Sequence, residues 1–553
     1  VRKRVLTWSL KIAGAVLLLL LVCVIASTWY ISTHKKEIIA SIQNDFHKAS
    51  NGTLSVENVK SSLFTHFPNL TLTLEKVVIR DSLWQTHQHD LLNVEFINLS
   101  IRLFPLLKKT ISVNKLYLNN GSIYFYTGSD QYSNTNILKK KSDNSSDFSA
   151  YIRAFSISNV KFTFQHIPKD KLIECNIQGL KGSMKDRGGI KEIQSYTKIY
   201  VTGCAFDLQK GVFLKDKVIE GNFHYTYDPA SNALSFPLQN IKIQNIPVRM
   251  KALFLFYDDR PGTFNLDLSS DYVIFREVRS WMTHKISKNI DSIDFEKPIS
   301  VQATIAGKFI HRVIPSVNIT WTVKENNMSS PLDSFKNCSF SGNFYNGDVL
   351  TDTVFADEKS GINLYNGKIE WRDIPIEIDT LMVKNFIAPA MMCRVKAHFP
   401  VSRLNRVTEE KTFSFQEGNA DVNMRMEGIF KNKKPLIEGL FGDISISNAA
   451  MTYTPRKIGF QKCNAELSFR GEDIYIRNTV LNTKNSQLKI AAVAKNFLGL
   501  YAHNPFKIKF DADLTGNRID LKDFTSLIRQ RPQTDLKSKM SAGEFSERLD
   551  QAL

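Results

Sequence analysis

Phe155-Ser-Ile-Ser-Asn-Val-Lys-Phe-Thr-Phe164 and Ile444-Ser-Ile-Ser-Asn-Ala-Ala-Met-Thr-Tyr453 read in frame with each other, position by position. In both, apolar side chains alternate with polar ones, a period of two that belongs to a strand with one oily face. A Cys-Asn pair follows each at nearly equal distance, Cys175-Asn176 and Cys463-Asn464. Val301-x-Ala-x-Ile-x-Gly-x-Phe309 repeats the effect against Val422-x-Met-x-Met-x-Gly-x-Phe430. Matched Asn, Gly, Phe and Cys positions point to duplication, and self-similar strands point to a sheet array built from repeats.

The same alternation runs outward in both directions. Leu70, Leu72 and Leu74 alternate with threonines, and Ile97, Leu99, Ile101 and Leu103 with mostly polar residues. Ile111–Tyr126 contains Asn119-Asn120-Gly121, which predicts two strands joined by a hairpin-type turn, because Asn and Gly tolerate positive φ. Helical spacing is scarce. It occurs in Tyr272–Ile290, in Val401–Glu410 and in Asp520–Ile528. At some 13–15 residues per strand and turn, the body would hold about 35 strands.

The chain begins differently. Residues 12–33 carry no charge, and as a helix they would cover about 33 Å, enough for a bilayer core. Ile12, Leu18 and Val22 lie in the span, with Trp29 and Tyr30 as interfacial aromatics near its far end. Arg2, Lys3, Arg4 and Lys11 precede it, which favours a cytoplasmic N-terminus and an exported body. The run continues past Val24-x-Ala26 into a helical pattern with Ile38, Ile39, Ile42 and Phe46 on one face. It therefore reads as a retained anchor rather than a cleaved signal peptide.

With 72 Lys+Arg against 54 Asp+Glu, the 553 residues carry a net charge of +18. Such a balance suits anionic partners. For an exported, anchored chain the bilayer surface is the nearer one, and no nucleic-acid partner is expected. Six scattered cysteines do not make a disulfide framework. No Gly-x-Ser-x-Gly elbow, His-Glu-x-x-His, phosphate loop or dinucleotide fingerprint occurs, so neither catalysis nor a cofactor is expected. His87-Gln-His89-Asp90 reads as a polar turn rather than a metal site.

Gly52-Thr-Leu-Ser-Val-Glu-Asn-Val59, Phe67-Pro-Asn-Leu-Thr-Leu72, Val77-Val-Ile-Arg-Asp-Ser82 and Tyr132-Ser-Asn-Thr-Asn-Ile-Leu138 follow the N-terminal helix in order. Ala465–Ile476, Lys495-Asn-Phe-Leu498 and Leu514–Ile528 come late in the chain. The succession resembles the AsmA family of envelope proteins, whose superfamily includes TamB and YhdP. The resemblance implies a bacterial inner-membrane anchor, a periplasmic body, an elongated, twisted, repeating β-groove of antiparallel strands with few short helices, and a role in outer-membrane biogenesis. It also implies that phospholipids are the cargo, with outer-membrane or periplasmic envelope proteins as further partners. Many relatives run on further, so a shortened product is a further expectation.

The expected organisation is a cytoplasmic stub (1–11), a membrane span (12–33) and a helical extension (34–50). An N-terminal β module (51–138), a linker (139–149) and a central groove (150–438, with a helix near 272–290) follow. A C-terminal β module (439–530) and a polar tail (531–553) complete it. Candidates for the groove wall are Leu70, Leu72, Leu74, Ile157, Phe162, Phe164, Val301, Ile305, Met424, Met426, Ile444 and Ile446. The same alternation would fill the core of closed β-sandwiches; an open face is what the resemblance favours. An envelope scaffold without lipid is the alternative function.

Overall fold

The computed structural model describes residues 29, 33–62, 70–101, 113–138, 152–257, 259–331, 333–347, 355–410, 412–431, 434–499 and 508–525. The linker 139–149, the tail 531–553 and most of the expected span, with Ile12, Leu18, Val22 and Tyr30, lie outside them. Trp29 is described, and it is helical and exposed. Among the described residues no helix is long and apolar enough to cross a membrane.

The protein is mainly β, with 26 strands among the described residues hydrogen-bonded into one open mixed sheet. Several strands exceed the 13–15 residues per strand and turn behind the estimate of about 35: β22 alone runs 20 residues. The chain divides into two compact units. The first extends to Ser270 and takes in Glu277–Asp291 and Lys308–Arg312; the second holds the rest.

The first unit opens with helix α1 (Lys35–Ala49), then β1 (Gly52–Ser55), β2 (Asn58–Ser62), β3 (Leu70–Asp81), the short α2 (Trp84–His87), β4 (Leu92–Ile101) and β5 (Val113–Thr127). It continues with β6 (Ala154–His166), β7 (Lys171–Arg187), β8 (Ile190–Asp207), β9 (Gly211–Phe213), β10 (Lys217–Asp228), β11 (Ala233–Ile243), β12 (Ile246–Leu255) and β13 (Thr263–Val273). Pairing is antiparallel except that β5 and β6 run parallel, a departure from the all-antiparallel expectation. The long connection from Gly128 to Arg153 makes it feasible, since a parallel return needs a dozen or more residues.

In the second unit the strands are β14 (Asp294–Phe295), β15 (Ile299–Lys308), β16 (Ser316–Ser329), β17 (Ser334–Tyr345), β18 (Gly361–Trp371), β19 (Ile374–Lys384) and β20 (Ala390–Pro400). They continue with β21 (Phe413–Lys431), β22 (Lys434–Tyr453), β23 (Ile458–Gly471), β24 (Asp473–Asn482), β25 (Gln487–Lys495) and β26 (Lys509–Arg518). Two helical expectations hold as short turns, Val401–Thr408 and Leu521–Phe524. The single helix expected over 272–290 is instead two, α3 (Phe275–Arg279) and α4 (His284–Asn289). Between them the Trp281 carbonyl accepts a hydrogen bond from Leu214 N at 2.7 Å, outside any helical ladder.

Asn119-Asn120-Gly121 is not a hairpin. Strand β5 passes straight through it, keeping its register with β4 from Leu118 opposite Ile97 to Ile123 opposite Leu92. The positive φ that Asn-Gly permits is used for a kink: φ is 56° at Asn120. Lys76 and Asn159, at matching positions two strands before and one strand after, have φ of 48° and 53°. Asn159 Nδ2 donates to Asn120 Oδ1 at 3.1 Å, and Asn120 Nδ2 to Glu95 Oε2 at 2.9 Å. Left-handed residues of β3, β5 and β6 thus fall into one line across the sheet, their polar side chains on the exposed face. Each kink inserts two polar residues between apolar ones and returns the next apolar side chain to the same face.

The paired sequence segments share this device. Asn159 and Asn448 are both left-handed, at φ 53° and 50°. Each is followed by a residue sealed from solvent, Val160 at 0% and Ala449 at 1%. Each segment then ends in a Pro-containing turn closed by a left-handed residue, Ile167-Pro-Lys-Asp170 and Thr454-Pro-Arg-Lys457.

Candidate functional site

The candidate site is the apolar face of the sheet, and cross-strand register assembles it. In the first unit one row passes from Val77 through Val94, Gly121, Val160, Ile177, Ile199 and Ile219 to Ile243 and Ile246. Gly121 is the one residue that could stand in this row opposite Val94, because a β-carbon there would lie 2.1 Å from the Asn93 carbonyl oxygen. In the second unit a comparable row joins Val301 to Trp321, Gly342, Leu364, Leu381, Cys393, Met426 and Leu440.

The first unit's sheet is curled, and the apolar face is the inside of the curl. Asp170 immediately precedes β7 and Gly262 immediately precedes β13. Along β7, β8, β10, β11, β12 and β13 each strand reverses the last, which puts the two residues at opposite strand ends. A flat sheet would separate them by five strand spacings and some fifteen residues of strand, on the order of 50 Å. Yet one short segment reaches both. Phe309 N donates to Gly262 O at 2.8 Å, and Arg312 Nη2 stands 3.9 Å from Asp170 Oδ2. Three residues of backbone and an arginine side chain cannot bridge much more than about 20 Å.

The segment crosses on the apolar side. The Phe309 ring packs against Phe264, Phe256 and Phe254, with centroids 5.3, 5.8 and 6.4 Å apart. Phe254 alternates in phase with the buried Ile246, Val248 and Ala252. At the other end His166, in phase with Phe162 and Phe164, has its affinity for a proton lowered by burial and, to a smaller extent, by Lys169, Lys171 and His311, which places His311 close by. The first unit therefore forms a trough with its apolar residues on the concave wall and the Asn kinks outside.

Parts of the wall are roofed by the chain itself. Leu72 and Leu74 belong to a closed core with Val56, Val59, Val77, Val94, Ile97 and Leu118, and Ile38, Ile39 and Ile42 of α1 pack on it. Leu70, in the same strand as Leu72 and Leu74, is paired with Ile101 of β4. In the second unit, Val401, Leu404 and Val407 cover Ile446, Ala420 and Ala449. Met424 and Ile444 pack with Phe469, Ile474 and Ala494, with Phe497 beside them. The remaining candidates, Ile157, Phe162, Phe164, Val301, Ile305 and Met426, are half-buried. Phe162 stands opposite Ile123 and Cys175, and Phe164 opposite Phe125 and Ile173.

The wall is dry in character. Burial pushes the Cys393 thiol up to about 11, and burial with Cys204 nearby does the same to Cys175. Both cysteines are neutral apolar surface at physiological pH. Sequence reasoning missed Phe254 and Phe264, which alternation in β12 and β13 could have supplied, and read Phe309, just past β15, only as a matched repeat position. His87 Nε2 lies 3.2 Å from the buried Asp81 carboxylate, its Nδ1 accepts from His89 N at 3.1 Å, and His89 stacks on Tyr124. Among the described residues no group of three or more His, Cys, Asp or Glu is placed to hold a metal.

These features define a class: β-sheet proteins whose apolar face is curved inward and only partly roofed. Residues 7–186 match the AsmA family. Neither the curated proteins nor the solved structures offer a match to the chain.

Proposed function

We propose that this is an AsmA-family protein, anchored in the bacterial inner membrane by its N-terminal segment, with its body in the periplasm. There it holds or conducts phospholipid acyl chains along the apolar trough, as a passive carrier in outer-membrane biogenesis, with no catalytic step and no cofactor. The observation that carries this reading is the concave wall itself, where large side chains such as Phe162 and Phe164 stay half-exposed on the inside of a curl. Each methylene kept out of water is worth about 0.8 kcal/mol, so a two-tailed lipid in such a trough avoids a cost on the order of 20 kcal/mol. No energy-consuming site is needed to offset it.

A second reading, an envelope scaffold without lipid, is favoured by the roofs that α1 and Val401–Thr408 place over part of the wall. The two separate by extraction. Purified full-length protein should carry phospholipid at near-stoichiometric levels, and substituting Lys for both Phe162 and Phe164 should lower that occupancy. Protein free of phospholipid in repeated mild preparations would favour the scaffold.

A further inference from the structure

Where the curl brings opposite strand ends together, the lip of the trough gathers positive charge. The β6–β7 turn supplies Lys169 and Lys171, and the crossing segment supplies His311 and Arg312. The one nearby carboxylate of this turn, Asp170, is already engaged: it faces Arg312 at 3.9 Å, and its backbone oxygen accepts Leu208 N at 2.8 Å. Among the described residues Lys169, Lys171 and His311 have no ion-pair partner, and all three are half-buried. The last residue of β6, His166, points its buried Nδ1 at no hydrogen-bond partner.

The cluster is electrostatically frustrated without a guest. Burial, then Lys169, hold the Lys171 ammonium below its ordinary pKa. Burial, followed by Lys169, Lys171 and His311, does the same for His166. Half-dry cations that crowd one another are relieved by an anion with several acceptor oxygens, and a phosphate supplies them. Directly inward lie Phe164 and Phe162, the open part of the wall.

We propose that His166, Lys169, Lys171 and His311 bind the phosphate of an anionic phospholipid whose acyl chains lie on the adjoining wall. This rests on the acyl-chain reading above and adds to it a headgroup preference, read at one lip of the first unit.

The test uses the full-length protein in mild detergent, equilibrated with equal amounts of phosphatidylglycerol and phosphatidylcholine. Bound lipid is quantified after gel filtration for the wild type, for K169Q/K171Q/H311Q and for the charge-preserving K169R/K171R. The wild type should retain phosphatidylglycerol preferentially, and K169R/K171R should keep that preference. The glutamine variant should lose it by about tenfold, with total lipid unchanged. An unchanged ratio in the glutamine variant overturns the headgroup assignment and leaves the trough standing, whereas a wild type that retains neither lipid overturns both. In a parallel arm, inorganic phosphate at millimolar concentration should compete poorly with phosphatidylglycerol. Equal competition would mean a free-phosphate site and would also overturn the proposal.

Discussion

Replacing Phe309 by alanine should loosen the segment that closes the first unit's curl. Phe309 is half-buried, and its ring sits 5.3, 5.8 and 6.4 Å from three phenylalanine centroids. A fully buried Phe→Ala change costs about 3–5 kcal/mol, so half-burial with three ring contacts sets the loss near 2 kcal/mol. The loss falls on one local contact, because the backbone link from Phe309 N to Gly262 O is what the ring holds in place. Hydrogen exchange of the Phe309 amide reports that opening directly. A change of about 2 kcal/mol should speed exchange about 30-fold, with amides in β7 unaffected. Exchange within about twofold of the wild type would refute the claim that the aromatic cluster secures the crossing.

Other outcomes follow from the same geometry. Gly121→Ala should destabilise the first unit by about 2 kcal/mol or more, because the new methyl group meets the Asn93 carbonyl and the Val94 backbone. Asn120→Gly should be nearly neutral in the same chemical-unfolding assay, since glycine takes a φ of 56° without strain while the amide bridges are lost. Ile42→Asp should release α1 from its core and cost about 2 kcal/mol, read as faster amide exchange at Leu72, Leu74 and Ile97. Asp333 accepts from Trp371 Nε1 at 2.8 Å and from Ser334 N at 2.8 Å, and these hydrogen bonds, Trp371's first, hold its pKa below the ordinary carboxylate value. Its folded pKa is depressed, so its stabilisation is present above the unfolded carboxylate value and fades as pH falls through the depressed one. Asp333→Asn should therefore flatten the acid limb of unfolding followed by tryptophan fluorescence, and an unchanged acid limb would count against the assignment.

The sheet and its oily face were legible from alternation alone, and so was the helix after residue 34, whose Ile38, Ile39 and Ile42 do share a packed face. The resemblance to the AsmA family rested on the order of weak motifs early and late in the chain, and the family match falls on the early ones, within residues 7–186. What the sequence concealed was the use of its own strongest local signal. Asn120-Gly121 announces positive φ, but a reversal and a kink both need it, and only pairing with β4 decides between them. That the kinks at Lys76, Asn120 and Asn159 fall into one line is likewise a property of register between strands far apart in sequence. The roof over Leu72 was hidden for a similar reason: periodicity shows that α1 has an apolar face without showing which wall it covers.

Photo-crosslinking in cells tests the central claim most directly. With a photoreactive phenylalanine at Phe164 on the half-exposed wall, at Leu72 beneath α1, and at Lys161 on the outer face, a phospholipid adduct should form at position 164 alone. No adduct at Phe164, or an equal yield at Lys161, would contradict an apolar trough that takes acyl chains.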